Sequence, residues 1–104
     1  MNFQFPEDFI EGKTVIRVGR HVEEFVELYN STFQHRPGVT YEGYNKFNHM
    51  IERYGDELAI SCNYLYEHEG LGWGEACWYE SRGAKVIDFT RADIPKSVDV
   101  LNLL

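Results

Sequence analysis

The sequence predicts an α+β domain: an antiparallel β-sheet, a three-strand meander plus an N-terminal strand, packed on one face by two helices, with a short C-terminal helix closing the chain. Three observations predict it. A β-branched run at residues 13–18 (KTVIRV) lies between Gly12 and Gly19, apolar residues recur at helical spacing from Val22 to Phe33, and apolar and small residues alternate with a period of two from Leu58 to Tyr64.

In chain order, residues 13–18 give the first strand, because β-branched side chains suit a pleated backbone and the flanking glycines permit turns. Val22, Phe25, Val26, Tyr29 and Phe33 then make one helical stripe, with Glu23, Glu24 and Glu27 off it. Pro37-Gly38 marks a loop over residues 34–40. Tyr44, Phe47, Ile51 and Tyr54 place a second helix ahead of Gly55, the residue type that ends helices in the left-handed conformation. Leu58, Ile60, Cys62 and Tyr64 give a half-buried strand. The glycines of residues 67–74 (EHEGLGWG) read as a flexible connection. Residues 75–80 and 85–89 read as two more strands joined by a three-residue hairpin at Ser81-Arg82-Gly83, with Gly83 left-handed. That hairpin register sends Leu58, Ile60, Cys62, Cys77, Ile87 and Phe89 to the core face and Ser61, Asn63, Ala76, Trp78 and Val86 to a face left open. From Pro95, Val98, Leu101 and Leu104 have helical spacing.

All 104 residues fit one domain, 1–104, long enough to bury one core without disulfides or metals, and 15% aromatic content argues against disorder. Residues 1–9 lack the basic-then-apolar order of a signal peptide, and no stretch has the length to cross a bilayer, so the expectation is a cytoplasmic protein without a membrane partner. Cys62 and Cys77 are too few for a disulfide scaffold and are expected to be reduced, buried and on neighbouring strands.

The net charge of −7 is divided almost evenly between the halves, and Arg17, Arg20, Arg36, Arg53, Arg82 and Arg91 are scattered singly. Without a basic stripe such a field repels phosphate, which excludes direct nucleic-acid binding, whereas a basic protein partner is attracted by it. The positively charged channel of a nucleic-acid enzyme is a partner of that kind.

Signatures of chemistry are sparse. His21, His35, His49 and His68 fall in no metal-ligand pattern, and Gly70, Gly72 and Gly74 precede a strand instead of the helix N-terminus that a phosphate cradle needs, so no cofactor and no metal is implied. His49 and Glu52 would share one helix face. Aromatics are the least routine feature: Tyr64, Tyr66, Trp73, Trp78 and Tyr79 gather around one long hairpin, with Trp73 at its tip. Tyrosine and tryptophan dominate the hot spots of protein interfaces.

In size, acidity and aromatic content without a catalytic signature, the chain resembles the small accessory and host-defence-inhibitor proteins encoded by phages and mobile elements. The resemblance covers size and composition, and implies a viral protein that acts by binding. The leading expectation is a non-enzymatic protein-binding module that inhibits or regulates a basic, nucleic-acid-handling protein. Its binding residues would be Trp73, Trp78, Tyr64 and Tyr66 as anchors, with Glu67, Glu69, Glu75 and Glu80 as an acidic rim. Two alternatives stand beside it: a small metal-dependent or acid/base enzyme using His49, Glu52 and His68, and a homodimeric structural or assembly protein joined through the open sheet face.

Overall fold

Thr14–Arg17 form β1, whose buried Thr14, Val15 and Ile16 place it at the centre of the sheet. The computed structural model describes residues 3–33, 44–62 and 71–95, with the side chains of 44–46 excepted. On one side of β1 lies β2 (Leu58–Cys62), antiparallel, with β3 (Leu71–Glu75) antiparallel beyond it; on the other side lies β4 (Lys85–Asp88), parallel to β1. The order is β3-β2-β1-β4. The α+β class is as expected, but the sheet is mixed, not antiparallel throughout.

One cross-strand row organises the main core. Trp73 pairs with Ile60, Ile60 with Ile16, and Ile16 with Ile87, so these four side chains share a face. Helix α1 (Val22–Thr32) covers that face with Val22, Phe25, Val26 and Tyr29, all buried as their spacing predicts. Glu24, expected off the stripe, is buried as well. Helix α2 (Tyr44–Tyr54) adds Met50, which is fully enclosed, and half-buried Phe47, Ile51 and Tyr54. It ends where Gly55 takes a left-handed φ of 56°.

The aromatic N-terminal segment completes this core, a role its sequence did not announce. Phe3, Phe5 and Phe9 meet Phe25, Tyr29, Phe33 and Phe89 in mostly edge-to-face contacts, such as Phe5 on Phe33 at 5.0 Å and Phe3 on Phe89 at 5.1 Å between centroids. Such geometry favours the positive ring edge against the negative ring face.

Two expected elements are corrected. Residues 71–75, read as part of a flexible connection, are strand β3, and residues 76–81, read as strand, are helix α3 (Ala76–Ser81). Ala76 and Tyr79, three apart, are buried while Cys77 and Trp78, consecutive, are both exposed, which is helical and not strand periodicity. A strand running parallel to β1 also requires a crossover, and α3 supplies it between β3 and β4. The hairpin at Ser81-Arg82-Gly83 is therefore absent. Gly83 does adopt the expected left-handed φ, 88°, but it ends α3, where its N–H donates to the Glu80 carbonyl at 3.0 Å.

Because α3 lies over the second face, that face is not open. Val15, Ala59, Ala76 and Tyr79, with Ala84 and Val86, form a second small cluster there. The expected Cys62–Cys77 neighbourhood across two strands also falls: Cys62 is buried in β2 and Cys77 is exposed on α3. Among the described residues no helix is long and apolar enough to cross a membrane. The predicted loop at 34–40, the end of the predicted strand at Asn63 and Tyr64, and the predicted helix after Pro95 lie outside the described residues.

Candidate functional site

The site begins with the glycines of β3. Gly72 and Gly74 lie on the α3 face, and a Cβ at Gly74 would stand 3.4 Å from the Tyr79 ring, while one at Gly72 would stand 3.2 Å from Ser61 Oγ. The Tyr79 ring lies against the sheet over Gly74, and its hydroxyl accepts a hydrogen bond of 3.1 Å from Ser61 Oγ inside the domain. Tyr79 thereby pins α3 close to the edge strand.

With Tyr79 held, the outward turn of α3 presents Trp78 beside β3. Trp73, on the opposite face of β3, ends the Ile87–Ile16–Ile60 row at the sheet edge, next to Tyr54 at the end of α2. Tyr54, Trp73, Gly74, Glu75 and Trp78 together line a groove of about 250 Å³. Trp73 is 42% exposed and Trp78 38%, the exposed large hydrophobic side chains among the described residues. Both tryptophans expected to bind are thus brought together. Trp73 sits within a strand, however, not at a hairpin tip.

Cations and acids border the groove. The Arg82 guanidinium stacks 3.9 Å from the centre of the Trp78 ring, and Arg53 lies 5.5 Å from that of Tyr54. Glu75 stands in the wall, and Glu80 is exposed on α3. Partial desolvation, with the Glu75 and Glu57 carboxylates nearby, pushes the Cys77 thiol above its usual range. Cys77 is therefore a protonated surface thiol instead of an activated nucleophile.

A second concavity, of about 240 Å³, lies where β1 and β4 end, lined by Arg17, Arg20, His21, Asp56 and Asp88 among others. Its central charge is internally answered. Arg17 Nε donates to Asp88 Oδ1 at 2.6 Å and Nη1 to Glu57 at 3.4 Å, and the guanidinium holds the Asp88 carboxyl below its ordinary range. This is a clamp between β1, β4 and the turn before β2.

Of the other expected site residues, Tyr64, Tyr66, Glu67, Glu69 and His68 lie outside the described residues. His49 and Glu52 are exposed on α2, and among the described residues no three His, Cys, Asp or Glu side chains gather as a metal set. Tyr54 is a groove residue that the sequence reading missed, and Arg53 and Arg82 are cations it did not place beside the groove's aromatic rings. Tyr54 carried a signal: an aromatic at the last position of a helix reaches past the core that its stripe covers. Set against known proteins, the chain matches no family model, no curated protein and no solved structure.

Proposed function

We propose that this chain is a non-enzymatic protein-binding module that docks on a partner through the groove formed by Tyr54, Trp73, Glu75 and Trp78. One observation carries the reading: two tryptophans, each more than a third exposed, meet in a single groove held in place by buried Tyr79. Exposed apolar side chains gathered in one place mark interaction sites more often than they serve stability. The groove is smaller than the roughly 300–1,000 Å³ of sites that enclose drug-sized ligands, which suits it to a side chain of a larger partner.

The net charge of −7 favours a basic partner, and a nucleic-acid-handling protein is the type with the matching field. Inhibition or regulation of such a protein is the role we propose for it, on the resemblance in size and composition to phage and mobile-element accessory proteins. The test is affinity capture from the source cell with the wild type, Trp73→Ala and a Glu23→Gln control away from the groove. A specific partner is expected to be held by the wild type and the control and lost with Trp73→Ala, once circular dichroism shows the variant folded. Equal retention by a folded Trp73→Ala protein excludes the groove as the interface.

A further inference from the structure

The geometry points to the groove as a guanidinium site: it takes an arginine side chain from a basic segment of the partner protein, stacked on the tryptophans with Glu75 as counter-ion. This rests on the reading of the groove as a protein-docking site and names what enters it.

Three observations converge on that occupant. First, the residues that line the groove with Gly74 are three aromatics and one acid, Tyr54, Trp73, Trp78 and Glu75, a combination that attracts cations through ring quadrupoles and a full negative charge together. Second, the protein already demonstrates the contact: its own Arg82 guanidinium lies 3.9 Å over Trp78, so this indole accepts a stacked guanidinium. Third, the chain carries seven more acidic than basic side chains, which draws a basic segment towards the surface.

Arginine fits better than lysine. Its planar, weakly hydrated guanidinium stacks on an indole while its edge N–H groups bond a carboxylate, and a strongly hydrated ammonium does the first poorly and the second as a point charge. A groove of about 250 Å³ has room for one such side chain. Arg82 is then a resident cation competing at Trp78, and binding of the partner's arginine is a contest between an internal and an external guanidinium.

The experiment titrates the capped tripeptide Gly-Arg-Gly into isotope-labelled full-length protein. Its controls are the same peptide with neutral citrulline or with lysine in place of arginine. The indole N–H resonances of the two tryptophans, assigned with Trp73→Phe and Trp78→Phe, are the readout. Expected are saturable shifts of both indoles with arginine, weaker ones with lysine and none with citrulline. Glu75→Gln should weaken binding about twofold to fivefold and Trp73→Ala at least about fivefold, while Arg82→Ala strengthens it. Citrulline or lysine acting as well as arginine, or a folded Glu75→Gln protein binding unchanged, overturns the guanidinium assignment. If no peptide shifts the indoles while Trp73→Ala still abolishes partner capture, this inference fails and the docking reading stands. If arginine binds but Trp73→Ala leaves capture unchanged, the guanidinium site stands and the docking reading fails.

Discussion

Gly12 shows how much one residue can carry. Its φ of 79° is left-handed, and a Cβ there would stand 2.8 Å from the Cys62 carbonyl oxygen, a backbone atom of β2 that cannot swing aside. Gly12→Ala is therefore expected to destabilise the fold by about 1–3 kcal/mol, measured by urea unfolding. The two cysteines separate at the same scale. Ellman titration of native protein should find one thiol, Cys77, reacting slowly near neutral pH because its raised pKa keeps it protonated, and a second, Cys62, only after unfolding. The Arg17–Asp88 pair makes a pH-dependent prediction. Because Asp88 is depressed in the folded state, its contribution is present above the unfolded carboxyl pKa of about 4 and is lost as pH falls through the lower folded value. Asp88→Asn should thus lower stability near pH 7 by at most about 1 kcal/mol, since solvent screens this half-exposed pair. The difference from wild type should shrink steadily below about pH 4.

Elements were legible where periodicity and burial agree. The stripe of α1 places Phe25 against Phe3, Phe5, Phe9 and Phe89, so Phe25→Ala should remove about 3 kcal/mol or more by leaving a cavity among rings that cannot close over it. A loss under about 0.5 kcal/mol in chemical denaturation would mean that the face is wrongly assigned. Residues 71–81 were misread because the usual cues point the wrong way there. Gly72 and Gly74 look like a flexible connection, yet both lie in a paired strand, where Tyr79 packs over Gly74 and Ser61 Oγ crowds the Cβ position of Gly72. Cys77, Trp78 and Tyr79 are bulky residues common in strands, but Ala76 and Tyr79 bury at helical spacing, and six residues are too few for that period to outweigh composition. The conformation of Gly83 was legible and its element was not, since hairpin loops and helix ends use the same left-handed glycine. As for the site, the exposure of Trp73 and Trp78 could be anticipated from composition. The place of Arg82 over Trp78 could not, because it depends on residues 76–81 being helix α3 instead of a strand.

For the whole molecule, the proposed docking function divides the work of binding between an acidic surface, for approach, and an aromatic groove, for retention. Charge acts at a distance and sets how fast a basic partner arrives, whereas a desolvated aromatic anchor acts on contact and sets how long it stays. The most direct measurement is the association and dissociation rates of the captured partner, at two salt concentrations, for wild type, Trp73→Ala and the double variant Glu75→Gln with Glu80→Gln. The account predicts that folded Trp73→Ala dissociates faster by a factor equivalent to about 2 kcal/mol or more, with its association rate little changed. It predicts that the double variant associates more slowly and depends less on salt. Unchanged rates for both folded variants would contradict the claim that this groove is where the protein binds.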